Sequence, residues 1–188
     1  RKACAWQEVK VGLAQKPGEV TRLYSLRPTA QLDNAFDDLL ALASLQGLGV
    51  RTQVRGIADG AVHIRPRMEE TFSGYSFKFI LDRPHTKEHL SSAGEALVPL
   101  TQIPAQDWAK GALAQLETGR AQEVVDELHR YWCASGTDDD DSRNDTLRLE
   151  ANYFDRNKDA VVYADYRSRG WSTASSEVES GHRSVVQV

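Results

Sequence analysis

The sequence predicts an α+β fold, and three observations carry that expectation. Strand-like apolar runs cluster near both ends of the 188 residues, two long stretches between them repeat apolar residues at helical spacing, and strands do not alternate strictly with helices. The expected arrangement is mainly antiparallel strands in hairpins at both ends, with amphipathic helices over about 29–46 and 104–133 packed on them.

Residues 6–14 (WQEVKVGLA) alternate loosely and stop at the turn signal Lys16-Pro17-Gly18. A second run, 20–26 (VTRLYSL), precedes Pro28. Thr29 then reads as a helix N-cap, and Leu32, Phe36, Leu39, Leu40 and Ala43 trace one buried helical face that Gly47 and Gly49 end. Val50–Gly56 and Ala61–Arg65 are expected to form a hairpin about Ala58-Asp59-Gly60, with Pro66 closing it. Tyr75, Phe77 and Phe79 share one face of a strand over 75–81, whereas 85–102 shows no dominant period and reads as a short helix and a loop.

Pro104 suits a helix first turn, and Trp108, Leu113 and Leu116 anchor that helix as far as Gly119. Val124, Val125, Leu128 and Trp132 continue the pattern to Cys133. Ser135–Asp145 reads as an acidic loop, and Leu147–Phe154 with Ala160–Tyr166 as a second hairpin around Asp155–Asp159. Residues 1–170 are expected to be one domain, and 171–188 a polar tail that is mobile or begins a further element.

Composition narrows the classes. An apolar share of 40% supports one core, and no window offers the roughly 18–20 apolar residues of a membrane span, so a soluble protein is expected; the compartment stays undecided and leans cytoplasmic. Arg1 and Lys2 are not followed by the apolar stretch of a signal peptide. The net charge of −4 is uneven: ten Lys and Arg face eight Asp and Glu over residues 1–70, and thirteen face nineteen beyond. That balance lacks the basic stripe of a duplex-binding domain. Arg51, Arg55, Arg65 and Arg67, on the strands of the expected hairpin, are the candidate basic surface. Cys4 and Cys133 are too few for a disulfide framework; they permit one bridge or, as the favoured reading, two buried thiols, with Cys133 packing beside Trp132.

The phosphate-binding patterns G-x-x-x-x-G-K-[S/T] and G-x-G-x-x-G are absent, as is the G-x-S-x-G elbow, so no cofactor is expected. His129 and Cys133 stand four apart on one helical face, and His85 and His89 share that spacing with Glu88 between them. Each pair offers two ligands where structural zinc takes four. Asp155, Asn157 and Asp159 match the first three ligand positions of a calcium loop, but Ala160 and Tyr166 replace its glycine and glutamate. They suit a hairpin turn equally well.

Asp138, Asp139, Asp140 and Asp141, with Asp145 nearby, are the strongest charge feature and the expected partner-binding surface. Near the end, Ser180-Gly181-His182-Arg183-Ser184-Val185 resembles the SGGERSV-type signature of chromosome-maintenance and recombination ATPases of the ABC class, with His182 in place of an acidic residue. The expected function is therefore a non-catalytic interaction module (adaptor, inhibitor or assembly subunit) that meets another protein with a basic surface. The resemblance implies an alternative, a fragment of a DNA-handling ATPase head, with nucleic acid met only within a larger assembly. A third reading is an enzyme or metal-binding protein drawing on His63, His85, His89, His129 and Cys133.

Overall fold

A computed structural model describes residues 9–19, 21–28, 31–134, 142–176 and 178. The elements run β1 (Val9–Gln15), β2 (Arg22–Pro28), α1 (Leu32–Leu45), β3 (Gln53–Ala58), α2 (Ile64–Thr71), β4 (Ser76–Leu81), α3 (Arg83–Thr101), α4 (Ala105–Glu117), α5 (Ala121–Ala134), α6 (Ser142–Asn157) and α7 (Tyr163–Ser168). The class is α+β, as expected. The described residues fall into two compact units: the first holds those up to Gly56, Ala61–Phe79 and those from Ser175 on, and the second holds Ile57–Gly60 and Ile80–Ala174.

In the first unit β1 and β2 form an antiparallel hairpin that pairs Val11 with Leu26 and Leu13 with Tyr24. Its turn uses Gly18 at φ +82°, a left-handed conformation that costs glycine little. Helix α1 covers the Gly12 face, where an added Cβ would lie 2.7 Å from Leu39 Cδ2. On the same face Ser25 Oγ donates to Asp38 at 2.8 Å, and the Arg27 guanidinium reaches that carboxylate at 2.7 and 3.0 Å. Side chains alternate along a strand, so Val11, Leu13, Tyr24 and Leu26 take the opposite face. Gln31, which precedes α1, makes no side-chain cap; the expected cap Thr29 lies outside the described residues.

The hairpin expected over 50–65 does not form. Only β3 is a strand, and Ile64–Thr71 is helix α2. Pro66 was the misleading residue: it sits in the first turn, where backbone N–H groups have no intrahelical partner and proline is tolerated. Helix α2 is the crossover that brings β4 back parallel to β3. The basic residues are consequently dispersed. Arg51 lies in an exposed turn and Arg55 in β3, whereas Arg65 and Arg67 are on α2. Arg65 pairs with Glu69 at 2.8 Å, and Arg67 with Asp33 at 2.6 Å and with Glu70.

The second unit opens with the carboxyl ends of β3 and β4, tied by Asp82 N donating to Ala58 O at 2.8 Å. The stretch without a dominant period is helix α3, started by Pro84 in its first turn and by the Asp82 carboxylate, which accepts from His85 N at 3.2 Å. Thr86, Leu90, Ala93 and Leu97 form its buried face. Helix α4 returns antiparallel: Arg83 bonds Glu117 at 2.6 Å at one end, and at the other a Cβ on Gly94 would fall 2.6 Å from Ala105 O. Gly119, at φ +82°, ends α4 before α5 begins, as expected.

The C-terminal hairpin expectation is overturned, because Leu147–Phe154 lies within α6 and most of Ala160–Tyr166 forms α7 after a short 3-10 turn. Leu147, Ala151 and Phe154 are the true period, spaced four and three and all essentially enclosed. Leu147 is buried whereas Leu149, which a strand would place on the same face, is 57% exposed. Leu128 is buried as expected, Trp132 is half-buried, and Cys133 is an exposed free thiol rather than core, since it stands one residue before the end of α5. Among the described residues, no helix is long and apolar enough to cross a membrane.

Candidate functional site

The carboxyl ends of parallel strands are the usual place for ligands in open α/β sheets. Two aspartates stand there, each directly after a strand: Asp59 follows β3 and is exposed, and Asp82 follows β4 and is fully buried. Gly60 makes their setting compact. At φ +79° it suits glycine, and a Cβ would meet Leu81 Cδ1 at 2.5 Å and Asn157 Nδ2 at 3.1 Å.

Tyr153 of α6 is the hub behind them. Its hydroxyl donates to Asp59 O at 2.8 Å, and its ring stacks on His89 of α3 with centroids 3.6 Å apart. His89 Nδ1 lies 2.6 Å from Glu150 Oε2, and Glu150 is only 7% exposed. Tyr163 donates to Thr86 Oγ1 at 2.6 Å, and Thr86 in turn donates to Asp82 O at 3.0 Å. Asn157 Nδ2 closes the cluster on Tyr153 O at 2.9 Å.

Electrostatics sharpen the picture. Burial pushes the Tyr153 phenol well above its usual value, and the charges of Asp59, Glu150 and Asp82 add to the rise together with Tyr163. Three carboxylates therefore act on one buried hydroxyl. The Tyr163 phenol is raised too, by burial first, with its contact to Thr86 opposing the rise and Asp82 adding to it. Both phenols remain neutral donors at ordinary pH. A carboxylate that fixes an imidazole, as Glu150 does His89, is an arrangement suited to proton transfer, and an exposed aspartate backed by further carboxylates suits a hard cation. Among the described residues, no group of three or more His, Cys, Asp or Glu side chains is placed to hold a metal ion by itself.

The residues singled out from sequence are mostly apart from this cluster. His85 pairs with Glu88 at 2.9 Å, so the two histidines of α3 turn to different carboxylates and form no joint site. His129 leans on Trp132 with centroids 5.7 Å apart, and His63 precedes α2. Asp155 pairs with Lys158 at 2.9 Å, and Asp159 accepts through its carbonyl from the Tyr166 hydroxyl. With Asn157 they occupy a helix end and a 3-10 turn, where the calcium-loop spacing has no loop to act on. Asp145, in the first turn of α6, pairs with Arg148 at 3.0 Å. Asp138–Asp141, Cys4 and the signature-like Ser180–Val185 lie outside the described residues.

Asp59, Asp82, Glu150 and Tyr153 were missed. An aspartate directly after each of two strand-like runs was the available signal, but it meant nothing while the first run was read as half of a hairpin. Comparison with models of protein families, with curated proteins and with solved structures yields no match.

Proposed function

We propose that the second unit carries a divalent-cation-dependent site for phosphoryl transfer or phosphate-ester cleavage, with Asp59 as the solvent-facing ligand. The observation that carries the reading is the placement of Asp59 and Asp82 at adjacent parallel strand ends, coupled by the bond from Asp82 N to Ala58 O. Mg2+ is commonly held by one or two carboxylates together with substrate phosphate oxygens and water, rather than by an all-protein cage. A site with one exposed aspartate therefore suits that ion. Asp82 and Glu150, buried behind it, supply the negative field that attracts the cation. His89, held by Glu150, is the group available to move a proton to or from the attacking or leaving oxygen.

Mn2+ serves as a paramagnetic probe. Added to the full chain with bis(4-nitrophenyl) phosphate, it is expected to broaden the amide signals of Asp59, Gly60 and Tyr153 and to support nitrophenol release. Asp59→Asn should abolish both, and Glu150→Gln should reduce release more than broadening. Unbroadened signals at these three residues, or an Asp59→Asn variant that behaves like the parent, would sink the reading.

A further inference from the structure

A second feature of this unit is independent of the acidic site. Helices α3 and α4 pack antiparallel, and between them runs a groove of about 280 Å³. Apolar Leu90, Ala109 and Leu113 line it together with polar Ser91 and Gln106, and Lys87 of α3 and Lys110 of α4 flank it. Leu90 is 1% exposed, while both lysines are exposed.

The lysines are set apart by their lack of partners. Every other described Lys or Arg of this unit is engaged, from Arg83 and Arg167 on Glu117 to Lys158 on Asp155 and Arg169 on Asp165. Lys87 and Lys110 alone, among those residues, meet no carboxylate and no aromatic ring. Lys87 and Lys110 thus leave two ammonium groups without an ion-pair partner, one on each helix that flanks the groove.

We propose that this groove docks an acidic amphipathic helix of a partner protein. The volume is just below the roughly 300–1,000 Å³ typical of small-molecule pockets, so it fits one or two inserted side chains better than a cofactor. A channel between two antiparallel helices matches helix-in-groove recognition, in which an apolar stripe provides anchors and flanking charges set specificity. The charge complement of Lys87 and Lys110, one on each wall, is a carboxylate on either side of an apolar anchor.

The test uses the full chain and a fluorescent synthetic helix with Leu at i and i+4 flanked by Glu, compared with the same helix carrying Lys for Glu. The acidic helix is expected to bind the parent preferentially and to shift the amide signals of Leu90, Ala109 and Leu113. Lys87→Glu combined with Lys110→Glu should weaken it about tenfold or more at low salt and transfer the preference to the basic helix. Both lysines are exposed, so the double variant should keep the parent's melting temperature. Equal binding of the two helices, or a double variant with unchanged preference, overturns the proposal. So does a self-association that the double variant abolishes, which would make the groove a contact between copies. Competition by a short DNA duplex that is insensitive to Leu113→Ser would overturn it as well.

Discussion

Leu97, Leu116, Leu128 and Leu147 of the second unit are fully enclosed, whereas in the first unit Leu45, Val50 and Val62 are 78%, 89% and 67% exposed. The difference follows from what each sequence segment can cover. Helices α3 to α6 each carry an apolar face, and those faces meet one another, which encloses Leu90, Leu97, Leu116, Leu128 and Leu147. The first unit has a two-stranded ribbon, helices α1 and α2 and the leading parts of β3 and β4, and a two-stranded hairpin gains little stability alone. Polar ties also hold it, namely Arg27 and Ser25 on Asp38 and Arg67 on Asp33. Stability is thus expected to be concentrated where the candidate site lies.

Leu128→Ala should break this contrast most visibly. It removes a wholly buried side chain and is expected to cost about 2–5 kcal/mol, against less than about 1 kcal/mol for Leu26→Ala at a position 40% exposed. Chemical denaturation followed by amide exchange at Phe36 and at Leu128 also tests the proposal that residues 1–170 are one cooperative domain. In that case Leu128→Ala lowers protection at both positions together. Loss at Leu128 alone would leave two independently unfolding units.

Gly94→Ala is a smaller change with a specific cause. The added methyl would fall 2.6 Å from Ala105 O, a backbone atom that can move only if α3 and α4 separate. A loss of about 1–3 kcal/mol is expected, whereas Gly111→Ala, with nothing within 4 Å, should be neutral or stabilising because alanine favours the helix. Equal effects at the two glycines would mean that the close helix approach does not matter.

Legibility followed the regularity of each pattern and not the unit it belongs to. Helices α1, α4 and α5 could be read because their apolar period is regular and Gly47 and Gly119 mark their ends. Strands β1, β2 and β4 stood out by alternation and aromatic content. Helix α6 could not be read so easily, since Leu149, Tyr153 and Phe154 give it a β-like composition and only Leu147, Ala151 and Phe154 carry the buried period. The candidate site stayed hidden for a related reason. Its residues come from two strand ends and from helices α3 and α6, so Asp59, Asp82, His89 and Glu150 converge only once β3 and β4 are known to be parallel. Charge density drew attention to Asp138–Asp141 instead, because a run of like residues is visible without a fold.

The gentlest probe of the contrast is acid. Hydrogen bonds from Arg27 and then Ser25 hold the Asp38 carboxyl down at about 2, with a modest opposing effect of burial. An unfolded aspartate titrates near 3.9, so the folded first unit binds this proton more weakly than the unfolded chain does. The stabilising contribution of Asp38 is therefore complete above about pH 4 and is lost as pH falls through about 2. Because the pair is partly exposed and salt-screened, the effect should be small and should shrink further at high ionic strength. Asp38→Asn removes the titration while keeping an oxygen that can accept from Ser25. Between pH 4 and pH 2 the variant should lose less exchange protection at Phe36 than the parent, and protection at Leu128 should differ little between the two. A parent and variant with the same acid profile at Phe36 would show that the Arg27–Asp38 tie adds nothing to the first unit beyond what the burial of Phe36, Phe72 and Phe79 supplies.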